Sequence, residues 1–171
     1  LASGEPRAKI TLYQALLKGH GFETVLEKCT EVGVVEFVPL LCERCVVQPD
    51  KEFDKRLLRY RRVCEEAAKQ SGRGVIPEVL PLVRLSAFDP APYDNVLVAY
   101  EDERETSLKS VLRAGVGRRI AVLIGPEGGF AKAEIERLGG LGAVSVSLGR
   151  RILRTETAGM ALLAQLLYEL E

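Results

Sequence analysis

Ile120-Ala121-Val122-Leu123-Ile124 running into Gly125-Pro126-Glu127-Gly128-Gly129-Phe130 is the stretch that decides the fold of this chain. A second stretch of the same kind follows. Ala143 to Leu148 runs into Gly149-Arg150-Arg151-Ile152-Leu153-Arg154-Thr155-Glu156-Thr157-Ala158. Each begins as a short apolar run that reads as a buried strand, and each passes through a glycine loop into helical spacing. Two strand–loop–helix corners predict a parallel sheet with a ligand site outside the carboxyl ends of its strands.

The same alternation extends outward from these corners. Phe22 to Gly33 has apolar residues at helical spacing and closes on a glycine. Val34 to Leu41 reads as a strand. Asp54 to Ser71 reads as a long helix, with Leu57, Tyr60 and Cys64 on one face and arginines on the other. Asp54 is its expected N-cap and Gly72 its stop. Pro77 and Pro81 limit Val75 to Phe88 to a short or edge strand. Asn95 to Tyr100 reads as a strand, and Thr106 to Ala114, Ala131 to Leu138 and Thr155 to Leu170 as helices. The pattern predicts an α/β fold, a mostly parallel open sheet with helices on both faces. The last helix is apolar nearly all round, which predicts burial on more than one side, a subunit interface included.

A chain of 171 residues with 47% apolar content predicts one domain with a full core. No apolar run approaches the roughly 18 residues needed to span a bilayer, so no membrane association is expected. Residues 1–6 read as a loose lead-in, and residues 7–171 as the domain. The 24 basic and 24 acidic residues cancel, which gives no general attraction to nucleic acid. Locally, the helix carrying Arg59 and Arg62 and the loop carrying Arg150, Arg151 and Arg154 are basic. Cys42-Glu43-Arg44-Cys45 is a CxxC, but zinc needs a second pair, and Cys29 and Cys64 stand alone. Reduced thiols of a cytoplasmic protein are the simpler reading, and no metal is expected.

The common nucleotide and hydrolase motifs are absent, and His20 is the only histidine. Backbone chemistry remains. Gly125, Gly128 and Gly129 let backbone N–H and C=O groups approach a ligand closely. Leu148, Ile152 and Leu153 can wall it with apolar surface. This set suits a flat, neutral group such as an adenine better than a pyrophosphate. The bland alternative is a pair of tight turns after strands.

Ile124 to Phe130 together with Leu148 to Ala158 closely resembles the paired signatures of the bacterial 16S rRNA (uracil-N3)-methyltransferase family, RsmE, of the SPOUT superfamily. Lys9 to Gly19, Glu27 to Gly33, Glu43 to Cys45, and Glu66 to Arg73 followed by Pro77 resemble the family's upstream stretches in the same order. The resemblance covers roughly residues 7–171. It implies a SPOUT-type α/β fold with a C-terminal deep trefoil knot, and a homodimer joined through the knot region. It implies S-adenosyl-L-methionine as cofactor, with Gly125, Gly128, Gly129, Leu148, Ile152, Leu153 and Thr157 holding it. The partner it implies is 16S rRNA or the small ribosomal subunit, in the cytoplasm. Family members usually begin with a PUA-type RNA-binding domain. No such sequence precedes Pro6, so a catalytic domain alone is expected.

The implied reaction is methyl transfer to N3 of a uridine, giving 3-methyluridine. That nitrogen must lose its proton, and negative charge then develops on the base oxygens. Arg154 and Arg73 are the candidates for stabilising this charge, and Glu127 or Glu156 for accepting the proton. Arg59, Arg62 and Arg150 are candidate RNA contacts. Two alternatives stand beside this reading: a related methyltransferase acting on a ribose 2′-hydroxyl or on tRNA, and a non-catalytic RNA- or nucleotide-binding module.

Overall fold

The computed structural model describes residues 4–171. The strands are β1 (Lys9–Ala15), β2 (Glu36–Leu41), β3 (Glu78–Val79), β4 (Val83–Arg84), β5 (Asn95–Ala99), β6 (Arg119–Ile124) and β7 (Val144–Val146). The α-helices are α1 (Gly21–Val32), α2 (Phe53–Gln70), α3 (Leu108–Ala114), α4 (Lys132–Gly140) and α5 (Thr155–Leu170). The strand order is β3-β2-β1-β6-β5-β7, with β4 also on β2, and every pairing is parallel. Among the described residues, no helix is long and apolar enough to cross a membrane.

The centre of the sheet is β1, which pairs with β2 on one side and β6 on the other. Its residues Ile10, Leu12 and Ala15 are wholly buried. The face toward Leu12 and Ile124 carries α1 and α5. Gly159 of α5 lies where a Cβ would sit 3.5 Å from Leu12 and 3.7 Å from Cys29 and Ile124. Tyr13 points to the other face. Its ring meets Phe88 edge-on at 5.0 Å, and its hydroxyl is hydrogen-bonded to that of Tyr93 at 2.8 Å.

α1 forms as its spacing predicts, with Phe22, Val25, Leu26 and Cys29 buried and Gly33 closing it at φ 126°. α2 buries Phe53, Leu57, Tyr60 and Cys64, but Asp54 is not its N-cap. Asp50 organises the start instead: its side chain accepts from Glu52 N at 3.0 Å and its carbonyl from Phe53 N at 3.1 Å. Asp54 sits inside the first turn, where its charge complements the helix dipole. α3 begins later than the pattern implies. Thr106 O accepts from Ser147 N at 2.8 Å, and this pairing with the end of β7 keeps the backbone extended until Ser107 caps the helix. Segment 75–88 does supply short strands, β3 at the sheet edge and β4 beside β2.

α5 buries Ala158, Leu162, Leu163, Leu166 and Leu167 on one face only. Each fully buried leucine contributes about 1.5–3 kcal/mol. The opposite side is apolar but open: Ala164 is exposed and Tyr168 is 86% exposed. Within the chain, the last helix is therefore not covered all round.

Residues 1–3 of the expected lead-in lie outside the described residues. The rest of that segment does not hang loose. Glu5 pairs with Arg73 at 2.6 Å, with the two side chains only 6% and 5% exposed. Pro6 packs on Gly33, where a Cβ would meet its ring at 2.6 Å.

Candidate active site

The chain bends sharply at the carboxyl ends of β5, β6 and β7, and the three loops that follow enclose a cavity of about 420 Å³. That volume suits a nucleoside-sized ligand. Tyr100 and Glu101 come from the loop after β5, Ile124 to Glu127 with Gly129 and Phe130 from the end of β6 and the loop after it, and residues 148–156 from the loop after β7 and the start of α5. β7 lies at the sheet edge, whereas α5 packs over β6 and β1. The segment between them therefore crosses the end of β5, which carries Leu148 and Leu153 to the cavity wall.

Most of the cofactor residues expected from the sequence meet here. Gly125, Gly129, Leu148, Ile152 and Leu153 all line the cavity. Gly129 adopts φ 73° and closes a turn through its N–H to Pro126 O at 2.9 Å. At Gly125 a Cβ would lie 3.1 Å from the buried Phe130 ring, so glycine lets the loop fold back onto its own aromatic. Ile152 is 80% exposed, an apolar side chain standing open at the cavity. Gly128 and Thr157 are beside the cavity rather than on it. Gly128 O accepts from Arg44 Nη1 at 3.1 Å, and Thr157 lies in the first turn of α5, its N–H on Arg154 O at 2.9 Å.

Among the charged candidates, Arg154, Arg150 and Glu127 line the cavity. One carboxylate oxygen of Glu127 accepts from Lys18 N at 2.7 Å. Glu156 also lines the wall, and its carboxylate reaches over Gly21, where a Cβ would come within 2.9 Å of Oε1. The structure does not bring Arg73 to this site. Its guanidinium is held by Glu5 and by Thr30 O and Val34 O at 2.9 and 2.7 Å. The Arg73 hydrogen bonds hold the Glu5 carboxyl below its usual range. Arg59 and Arg62 lie on α2 and do not line the cavity, and Arg59 Nε is paired with Glu23 at 2.7 Å.

Several members of the site were not foreseen. Arg104 and Arg151 line the cavity. Thr155 Oγ1 donates to Gly125 O at 2.6 Å, and Gln14 Nε2 donates to Thr155 Oγ1 at 3.2 Å. Thr155 stands two residues before Thr157 in the same motif, so its neighbourhood was legible. Gln14 and Arg44 arrive from β1 and from the turn after β2; both lie in stretches that resemble the family's, but nothing in those stretches gave either residue a role.

Cys42 and Cys45 are free and buried. Cys45 Sγ accepts from Cys42 N at 3.3 Å, and the neighbouring Cys42 lowers the pKa of the Cys45 thiol. The turn they define presents Arg44 to Gly128 and Glu43 N to Glu134 Oε1 at 2.7 Å. Burial pushes the Glu134 carboxyl up. Among the described residues, no three histidine, cysteine or acidic side chains group as metal ligands.

Residues 4–167 match the family described as the RNA methyltransferase domain. The chain is 34% identical over 171 residues to the ribosomal RNA small subunit methyltransferase E of Bacillus subtilis, covering 95% of this chain and 67% of that protein. It superposes with a TM-score of 0.85 on the crystal structure of a ribosomal RNA small subunit methyltransferase E from Neisseria gonorrhoeae bound to S-adenosyl methionine. That match is 32% identical and covers 96% of this chain and 67% of the other. The chain thus spans about two thirds of the length of both relatives. A tRNA modifying enzyme of Aquifex aeolicus, TrmH/SpoU, has a TM-score of 0.56 at 12% identity, covering 96% of this chain and 75% of that one; this is a likeness of fold alone. With its matched domain, its curated relatives and its loop-built cavity in agreement, the chain belongs to the RNA methyltransferase domain family, and within it to the ribosomal RNA small subunit methyltransferases E.

Proposed function

We propose that this chain transfers a methyl group from S-adenosylmethionine to N3 of a uridine in small-subunit (16S) rRNA. The observation that carries the reading is the cavity at the ends of β5, β6 and β7, in a chain of this family. Its walls fit the cofactor. Leu148, Leu153 and Phe130 offer apolar surface for an adenine, Gly125 and Gly129 expose backbone polar groups, and Glu101, Glu127 and Glu156 supply negative charge beside a cationic sulfonium. S-adenosylmethionine, when bound, supplies an electrophilic methyl group.

The chain's own residues have the remaining tasks. Arg154, on the cavity wall, is the guanidinium that would meet the negative charge growing on the base oxygens as N3 attacks. Glu127 keeps one carboxylate oxygen on Lys18 N, which leaves the other to take the N3 proton, directly or through water. Arg104, Arg150 and Arg151 stand on the cavity wall as contacts for the RNA backbone, and Arg59 and Arg62 extend a basic track along α2. The target base must leave its stack to reach the cavity.

The finer architecture supports the same reading. The segment after β7 crosses the end of β5 before α5 packs inward, and this crossing supports reading the region as a trefoil knot. The open apolar side of α5, with Ala164 and Tyr168, is the face for a second copy of the chain. An rRNA substrate sets the working place in the cytoplasm.

The test is calorimetric titration with S-adenosylmethionine and S-adenosylhomocysteine, then incubation with small ribosomal subunits and nucleoside mass spectrometry of the rRNA. Saturable binding and 3-methyluridine are expected. A ribose-methylated product would redirect the reading to another methyltransferase, and binding without turnover on any RNA would reduce the chain to a binding module.

A further inference from the structure

We infer that Gln14, which does not line the cavity, is a positioning residue for the cofactor site, acting through the Thr155 hydroxyl on the Gly125 carbonyl. The inference rests on the reading of this cavity as the S-adenosylmethionine site.

Gln14 is wholly buried near the end of β1, in register with Ile124 of β6 and Pro39 of β2. Its amide nitrogen donates to Ala15 O and to Thr155 Oγ1, each at 3.2 Å. Ala15 O can only accept, so the nitrogen must face it, and this fixes the orientation of the amide. Thr155 has one hydroxyl proton. With a lone pair already engaged by Gln14, that proton goes to Gly125 O at 2.6 Å. The chain of donors runs one way, from Gln14 to Thr155 to Gly125.

Gln14 Oε1 has no hydrogen-bond partner among the described residues. A buried, unpaired carbonyl is costly, and a leucine of similar size would fill the site without that cost. The amide's compensating contribution is its NH2 group. Gly125 is the first residue of the loop after β6, and Thr155 is the first residue of α5, directly after the loop that follows β7. One hydroxyl therefore joins the two loops that carry most of the cavity wall, and Gln14 holds that hydroxyl in its working direction. Without it, the Gly125 peptide and the backbone turn to Gly129 lose their fixed orientation.

The experiment compares Gln14→Leu, Thr155→Val and Thr155→Ser with the parent chain, reading the Kd for S-adenosylmethionine, KM and kcat for methyl transfer, and Tm. Gln14→Leu and Thr155→Val are expected to weaken cofactor binding about tenfold, the size of a lost buried hydrogen bond. The change should fall on KM more than on kcat. Thr155→Ser, which keeps the hydroxyl, should restore binding. The double variant Gln14→Leu/Thr155→Val should bind no worse than Thr155→Val alone, because the two side chains act in series. A purely structural role would lower Tm and leave the Kd of the folded fraction unchanged, and that result overturns the inference. So does additivity in the double variant, or a Thr155→Ser variant that binds as poorly as Thr155→Val. The Thr155 pair keeps the test open if Gln14→Leu fails to fold. A folded parent chain that binds neither S-adenosylmethionine nor S-adenosylhomocysteine overturns the reading of the cavity itself, and this inference with it.

Discussion

Lys18 N donates to Glu127 Oε1 at 2.7 Å, and this bond ties the β1–α1 loop to the glycine turn after β6. The same carboxylate thus anchors one wall of the cavity and stands on it. The two roles separate by substitution. Glu127→Gln keeps an oxygen for Lys18 N but removes the base. It is expected to leave cofactor Kd near that of the parent while lowering kcat by about a hundredfold, the usual scale for general-base loss. Glu127→Ala should weaken cofactor binding as well. Calorimetry beside single-turnover methyl transfer measures both, and an unchanged kcat in Glu127→Gln would assign the proton to water.

Arg154 lines the cavity at the N-cap position of α5. Arg154→Ala is expected to cost about 10²–10³ in kcat, as for removal of a preorganised donor to a developing negative charge. Cofactor Kd should not change, and Arg154→Lys should recover only part of the rate, since it keeps the charge and loses the fork. Unchanged methyl transfer with intact cofactor binding would remove Arg154 from the chemistry.

Arg73 belongs to stability rather than to the site. Its guanidinium satisfies Glu5 and two backbone carbonyls, and both charged side chains are nearly inaccessible. Arg73→Ala is expected to lower unfolding free energy by about 3–5 kcal/mol, because it strands a buried carboxylate. Methyl transfer per folded molecule should hold. Urea titration with activity normalised to folded fraction checks both statements.

The same ion pair gives a pH dependence with a definite sign. The Glu5 carboxyl is held below its ordinary value of 4.5, chiefly by its hydrogen bonds from Arg73. A depressed carboxylate contributes stability above its unfolded pKa, and that contribution disappears as pH falls through the folded pKa. The urea midpoint should therefore drop below about pH 4.5, and Glu5→Gln should flatten that drop. An equal acid slope in parent and variant would assign the effect to other groups.

The open side of α5 offers an oligomerisation test. Ala164→Glu introduces a charge onto the apolar, exposed side without touching the buried leucines. It is expected to shift sedimentation from dimer toward monomer, with Tm little changed at high dilution. A parent chain that sediments as a monomer at all concentrations would remove the interface.

The strand–loop–helix corners were legible because they are local. A β-branched apolar run, glycines at the turn and helical spacing follow one another in residues 120–138 and 143–170, and α1 and α5 form where their periodicity places them. What escaped is what the sheet assembles. β1 carries Thr11 and Gln14 among its apolar residues, so the central strand did not read as one until its pairing with β2 and β6 buried both. Asp50 displaced Asp54 at the start of α2 through a turn that no helical pattern contains. Arg73 matched a motif, but motif position does not say where a guanidinium points. It was spent on Glu5 and on the carbonyls at the end of α1.

The pairing of β1 with β6 has a consequence for how the protein is made. Lys9 is in register with Arg119, a sequence separation of 110 residues (119 − 9). During synthesis the first strand is complete long before its inner neighbour leaves the ribosome, and until then one edge of β1 stays open. Loop closure over that distance precedes any reward from the central contacts, a topology expected to slow folding. The cavity needs the start of α5 in place, since Thr155, Glu156 and Ala158 line it. A nascent chain therefore lacks the cavity until residues 155–170 have left the ribosome.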